Sequence, residues 1–155
     1  MTATKTLLVV HHTVSPATHA LHLAAMEGAR DPSIEGVDVM VRPALTAAAP
    51  DVLAADGYLL GSPVNLGYLS GALKHFFDQI YYPCLEATRR RPFGVYLHAN
   101  NDATGALRAL DTITTGLQWR AAQPPLVVTG EPHQRDLAAA RELGGALAAG
   151  LTLER

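Results

Sequence analysis

Three hydroxyl residues, Thr13, Ser15 and Thr18, crowd the short stretch His12-Thr13-Val14-Ser15-Pro16-Ala17-Thr18. An apolar run, Thr6 to His11, ends just before it and a helical pattern, Ala17 to Ala29, begins within it. Ser15 stands at the N-cap of that helix and Pro16 at its first position. Hydroxyl donors and the free N–H groups of a helix start then face one point, which suits a phosphate. The same residues serve equally well as a Ser/Thr helix cap and nothing more. The stretch has neither the GxxxxGK[ST] of a P-loop nor the GxGxxG of a dinucleotide fold, which disfavours nucleoside triphosphates. Nor has it the acidic pair with which a phospho-accepting receiver domain holds magnesium, because His11-His12 occupies that place.

Two further stretches have the composition of shaped loops. Gly61-Ser62-Pro63-Val64-Asn65-Leu66-Gly67-Tyr68 joins an apolar run to the strongest helical pattern of the chain, Leu69 to Ile80. Its glycines and proline make a tight turn, able to lay backbone and flat apolar surface on a planar ligand or simply to connect two elements. His98-Ala99-Asn100-Asn101-Asp102-Ala103-Thr104-Gly105 follows another apolar run. Asn100 and Asn101 suit either a ligand's polar edge or a tight turn, and Asp102 reads as the N-cap of the next helix.

These stretches need elements to hold them, and the apolar pattern supplies five βα units. Near-continuous runs at Thr6–His11, Gly57–Leu60, Gly94–Leu97 and Leu126–Val128 read as strands, the first three of these buried on both faces. Val37 to Val41 alternates and reads as an edge strand. Helices are expected over Ala17–Ala29, Leu69–Ile80, Thr104–Leu117 and Asp136–Leu151, with a short or irregular one between Pro43 and Ala55. Such a βα rhythm implies a parallel sheet with helices on both faces. The expected strand order is 2-1-3-4-5, which places a ligand at the carboxyl ends of the first and third strands.

The run Ala55-Asp56-Gly57-Tyr58-Leu59-Leu60-Gly61-Ser62-Pro63, followed by Gly67, Ser70-Gly71-Ala72-Leu73-Lys74 and Phe77-Asp78, resembles the flavodoxin-like NAD(P)H-dependent oxidoreductases. That superfamily includes FMN reductases and the WrbA-type quinone oxidoreductases. Thr13-x-Ser15-x-x-Thr18 is similar to the flavodoxin phosphate signature T-x-T-G-x-T. The resemblance implies a flavodoxin-like three-layer sandwich, α/β, with a five-stranded parallel sheet. It also implies FMN, its phosphate held by Thr13, Val14, Ser15, Ala17 and Thr18. One side of the isoalloxazine would be bordered by Ser62, Pro63, Val64, Asn65, Leu66, Gly67 and Tyr68. His98, Ala99, Asn100 and Asn101 would present backbone to the ring. Two departures stand out: Pro16 replaces the usual glycine and removes an N–H, and Asn65 stands where an aromatic is common.

Composition narrows the function classes. The 155 residues suit one domain spanning 1–155. Twelve Lys+Arg against 14 Asp+Glu leave a net charge of −2, with no footprint for nucleic acid and no strongly acidic docking face. No stretch approaches a membrane span, and the single Cys84 excludes an internal disulfide, so the chain reads as soluble, reduced and cytoplasmic. His11, His12, His19 and His22 tempt as a metal cluster, but no Glu or Cys joins them, and no metal site is expected. Of these, His12 or His19 is the better neighbour for a phosphate, and His22 reads as solvated helix surface. Arg89-Arg90-Arg91 fits the extra phosphate of NADPH or a solvated loop, and Trp119 a helix-end anchor. Tyr81 and Tyr82 suit either the cover of a neighbour's flavin or ordinary packing.

The expectation is therefore an FMN-dependent flavin or quinone reductase using NADH or NADPH, with hydride passing through the flavin and no catalytic side chain nominated. The partners expected are a small-molecule acceptor, quinone or flavin, and a second copy in a homodimer or higher homo-oligomer. The rivals are a flavodoxin-type electron carrier and a flavin-free binding protein on the same fold.

Overall fold

Leu7, Leu8, Val9 and Val10 are fully buried, so the strand they form must be covered on both faces. The computed structural model, which describes residues 4–153, shows how. The elements in chain order are β1 (Lys5–His11), α1 (Pro16–Ala29), β2 (Val37–Pro43), α2 (Ala49–Ala54), β3 (Gly57–Asn65) and β4 (Tyr68–Leu69). There follow α3 (Gly71–Cys84), β5 (Pro92–Ala99), α4 (Thr104–Leu117), β6 (Arg120–Ala121), β7 (Leu126–Thr129) and α5 (Gln134–Leu153). One face of the sheet packs Leu8, Val10, Tyr58 and Leu60 against Leu73, Phe76 and Ile80 of α3 and Leu110 of α4. The other packs Leu7, Val9, Leu59 and Tyr96 against Leu21 and Ala25 of α1 and Leu143 and Leu147 of α5. Each such aliphatic side chain contributes about 1.5–3 kcal/mol by leaving water, which is why the central strands read as continuous apolar runs.

The sheet corrects the expected five strands in order 2-1-3-4-5. It has seven, ordered β2-β1-β3-β5-β6, with β7 also on β5 and β4 on β3. The fourth expected strand is β5, and the fifth is broken in two. β6 pairs with Pro92 and Phe93, and β7 with Tyr96 to Ala99. Pro124 and Pro125 lie in the break; neither has an N–H to give a ladder, so the edge strand stops and restarts. The third strand runs on to Asn65 instead of ending at Leu60, and turns back as β4. All pairings but β3–β4 are parallel, and β2 is the edge that its alternation predicts.

Helix boundaries follow local chemistry. Ser15 caps α1 through a box in which its side chain accepts from the Thr18 N–H. Ser70 caps α3, whose face Leu73, Phe76 and Ile80 is fully buried while Lys74 and Asp78 pair at 2.7 Å outside. The α3 helix continues past Ile80 to Cys84, with Pro83 in its last turn. The ambiguous segment between Pro43 and Ala55 holds one six-residue helix, α2. Its last carbonyls are satisfied from outside: the Arg91 guanidinium lies 3.1, 3.0 and 2.7 Å from the carbonyl oxygens of Val52, Leu53 and Ala55. Trp119 is the anchor its position suggested, stacked on Tyr58 at 4.1 Å and donating its indole N–H to Thr88 at 2.8 Å.

Candidate functional site at the carboxyl edge of the sheet

The start of α1, the carboxyl end of β5 and the turn after β7 border a cleft of about 540 Å³. Ser15, Pro16, Ala17 and Ala20 line it from α1, His98 and Asn100 from the end of β5, and Gly130, Glu131, Pro132 and Leu137 from the turn into α5. Residues of the first and third predicted stretches thus face one cleft, although β1 and β3 themselves do not line it. The third wall, Gly130 to Pro132, was not among the predicted loops, although a Gly-Glu-Pro turn after the last strand is a visible signal. It is locked to the third stretch by His98, whose Nε2 lies 2.7 Å from the Gly130 carbonyl oxygen.

The α1 entrance is more closed than its hydroxyls suggested. Thr18 is buried, and its Oγ1 accepts the N–H groups of Val14 and Ser15 at 3.1 and 3.0 Å. The same hydroxyl donates to the Ser15 carbonyl oxygen at 3.1 Å, so Thr18 ties the loop together from within. Pro16 has no N–H. Among the described residues, the N–H groups of Thr13 and Ala17 make no hydrogen bond. Those two donors and the positive end of a 14-residue helix remain for an anion, while the Thr13 hydroxyl is shared with His11 Nδ1 at 2.8 Å and the Ser15 hydroxyl with Thr18 Oγ1 at 3.0 Å. That donor set fits a phosphate ester, with Thr18 as scaffold and not as direct contact.

The second stretch is a β-hairpin and not an open loop. Val64 pairs with Leu69 and Asn65 with Tyr68 across a two-residue turn in which Leu66 (φ 53°) and Gly67 (φ 76°) are both left-handed. Primed hairpin turns require positive φ at both central positions, which glycine tolerates and leucine does not. Ser62 and Pro63 are buried, and the Ser62 hydroxyl is spent on the Pro63 carbonyl at 2.7 Å. Ser62 and Pro63 are therefore internal supports, a correction to their expected place beside a ligand. Asn65, Leu66, Gly67 and Tyr68 are exposed and Val64 is half-buried. The hairpin does not line the cleft; its neighbour is α4, where a Cβ on Gly105 would collide with the Gly67 carbonyl. Fully exposed Leu66, with Val14 and Tyr68, leaves apolar surface standing at this edge of the sheet, the kind of wall a flat aromatic ring covers.

The remaining sequence expectations sort by position. Ala99 is buried, while Asn100 and Asn101 are exposed. Asp102 caps from one residue further out than expected: Ala103 is the N-cap, and the Asp102 carboxylate accepts from the Thr104 N–H and hydroxyl at 3.1 and 2.6 Å. Those bonds hold its carboxyl below the usual range. Arg89, Arg90 and Arg91 precede β5 and so lie at the amino end of the sheet, away from the cleft, where Arg89 pairs with Glu86 at 2.7 Å. Cys84 is buried, and burial pushes its thiol up. No three His, Cys, Asp or Glu side chains converge among the described residues.

The histidines are arranged differently from the expectation. His22 is half-buried under the sheet edge, its Nδ1 3.1 Å from the Tyr96 hydroxyl. Its ring stacks on His11 at 4.1 Å, and His11 Nδ1 lies 2.8 Å from Thr13 Oγ1. Burial, then the charges of His11, His19 and Arg30, lower the His22 pKa to about 4; burial and His12 lower that of His11. Gly61 makes the arrangement possible, because a Cβ there would collide with the Tyr96 ring. Periodicity did not find this cluster, since its members come from β1, α1 and β5.

The parallel sheet order and the carboxyl-edge site define a flavodoxin-like α/β protein. The family model of NADPH-dependent FMN reductase matches residues 7–133, and the chain belongs to that family. Its most similar curated relatives include a flavodoxin of Aquifex aeolicus (strain VF5), 39% identical over 74 residues, or 48% of this chain. The match spans 39% of that relative's length. Among solved structures, the flavodoxin, WrbA-like protein of Agrobacterium tumefaciens superposes with a TM-score of 0.76 at 20% identity. It covers 98% of this chain and 100% of its own. A flavodoxin from the domain Archaea gives 0.79 at 17% identity, covering 95% and 99%. These two likenesses are of fold.

Proposed function

We propose that the chain is an FMN-dependent reductase that takes a hydride from NADH or NADPH and passes electrons to a quinone or a free flavin. Flavin, when bound, supplies the redox chemistry by accepting hydride at N5. The chain's own part is to hold and orient. The N–H groups of Thr13 and Ala17 and the hydroxyls of Thr13 and Ser15 grip the phosphate at the start of α1. Leu66, Tyr68 and Val14 supply apolar contact for the ring, and Asn100 and Asn101 supply polar groups at the end of β5. The observation that supports the reading best is the helix entrance with two unpartnered N–H groups at the carboxyl edge of the sheet.

Among the described residues no segment covers the site, and we place the second wall of the ring site on a second copy of the chain. Tyr82, largely exposed on α3, suits such a homodimer or higher homo-oligomer. No helix among the described residues is long and apolar enough to cross a membrane. A single buried thiol fits a reducing, cytoplasmic setting. The flavodoxin relative favours a second reading, an electron carrier, against which stands a net charge of only −2.

Visible absorption of the purified protein mixed with FMN tests the first step: a bound flavin spectrum is expected, and no binding overturns both readings. Anaerobic addition of NADH or NADPH then separates them. Prompt bleaching supports the reductase, and a spectrum that stays oxidised supports the carrier.

A further inference from the structure

We propose that His11 sets the direction of the Thr13 hydroxyl and thereby couples anion capture at the α1 entrance to the uptake of one proton, with His22 and Tyr96 keeping the second ring neutral. The inference rests on reading that entrance as the phosphate site. A threonine hydroxyl has one proton and His11 Nδ1 lies 2.8 Å from it, so two arrangements exist. With Nδ1 bare, Thr13 donates inward to the ring and turns only lone pairs toward the entrance, which repels an anion. With Nδ1 protonated, the ring donates to Thr13 Oγ1 and the hydroxyl proton is free to point outward. The neutral Nδ1–H tautomer allows the second arrangement too, but only the imidazolium permits no other and adds a positive charge two residues from Thr13, which an anion draws.

The neighbours decide which ring takes the proton. His22 stacks on His11 with centroids 4.1 Å apart, so charging both is unfavourable. Burial pushes the Tyr96 hydroxyl up, so it keeps its proton and stands as a neutral partner 3.1 Å from His22 Nδ1. Burial holds His22 itself neutral. The titratable neighbours that lower the two rings are all basic: His12 beside His11, and His19 and Arg30 from α1 beside His22. No carboxylate contributes to the shift of either ring. The residues that β3, β7 and α5 bring to this face, among them Leu59, Gly61, Val128, Ala140 and Leu143, carry no charge. The pair is thus neutral without ligand, and a phosphate at Thr13 is the missing counter-charge that draws one proton from solvent onto His11.

Calorimetry of FMN binding in buffers of different ionisation enthalpy counts that proton. Wild type is expected to take up more protons than His11→Asn between pH 6 and 8, the difference approaching one. Affinity in wild type then rises by up to about tenfold for each unit of falling pH relative to the variant. The comparison cancels the titration of the FMN phosphate itself. Asn places an amide donor where Nδ1 was and does not titrate, so it should keep affinity within about threefold at pH 8. His11→Val should weaken FMN at every pH and leave riboflavin, which lacks the phosphate, unchanged. Equal proton uptake in wild type and His11→Asn overturns the proposal. A variant-free readout is ring ¹⁵N NMR of wild type titrated with inorganic phosphate. Both His11 nitrogens should become protonated while His22 keeps one bare nitrogen, and a His11 ring that gains no proton overturns the coupling. Phosphate binding without FMN binding overturns the flavin reading alone, with the ring signals still deciding this one. Binding of neither probe overturns both.

Discussion

At the scale of single residues, the same stacked pair links stability to pH. The His22 value in the fold, about 4, lies below the ordinary 6.5, so the neutral ring is the form that favours folding. Its contribution is complete above pH 6.5 and is lost as pH falls toward 4. Urea midpoints should therefore drop between pH 7 and pH 4.5, and His22→Phe, which keeps a ring against His11, should flatten that drop. An unchanged slope in the variant would move the effect elsewhere. Arg91 offers the opposite case, a charged residue with a purely structural task. Arg91→Leu leaves the carbonyls of Leu53 and Ala55 without their side-chain donor, while Val52 keeps the Tyr58 hydroxyl at 2.6 Å. It should cost about 1–3 kcal/mol in chemical denaturation and leave FMN affinity unchanged, because it acts at the far end of the sheet. Its neighbours in sequence, Arg89 and Arg90, gave no hint of this, since one basic residue of three reaches a helix end only in three dimensions.

At the scale of elements, the β3–β4 hairpin combines exposure with strain. Leu66 holds a left-handed backbone without any packing to compensate, a cost of about 1–2 kcal/mol that Gly avoids. Leu66→Gly should raise the denaturation midpoint by about 1 kcal/mol while weakening FMN, the two effects separating because the side chain matters only to a ligand. A midpoint that falls would mean that the turn is not under strain. This hairpin was illegible in the sequence for a specific reason. Asn65-Leu66-Gly67-Tyr68 lacks the Asn-Gly or Gly-Gly pair that marks such turns, and two-residue β4 is too short to show alternation. Where apolar period and cap agree, reading was easy: Thr104 to Leu117 matches α4 end for end, and Ser15-Pro16 marks the start of α1.

At the scale of the whole molecule, what the sequence hid was how elements meet. The α1 and α5 helices cross at a stripe of small residues, where a Cβ on Gly28 would collide with the Arg141 carbonyl and one on Gly144 with the Ala25 carbonyl. Gly144→Ala should therefore push the helices apart, lowering stability by about 1–3 kcal/mol in urea titration. Since α1 carries the Ser15 cap, FMN affinity should fall with it, though Gly144 itself does not line the cleft. Unchanged affinity would show the phosphate loop to be independent of the α1–α5 seam. The five βα units, the central strands and the first and third loops were legible because each follows from local pattern. The Gly130 turn and the histidine stack were not, because each is a contact between distant segments; the inward role of Thr18 is local but depends on which way its hydroxyl turns, which no residue pattern carries.

The broken edge strand has a consequence for crowding. A long, regular outer strand would offer unpaired N–H and C=O groups to any other exposed strand, and a protein at high concentration would add to itself there. Here that side of the sheet offers two residues in β6, a proline pair and four residues in β7. No incoming strand finds a continuous ladder to extend, so the molecule resists stacking sheet to sheet along that border.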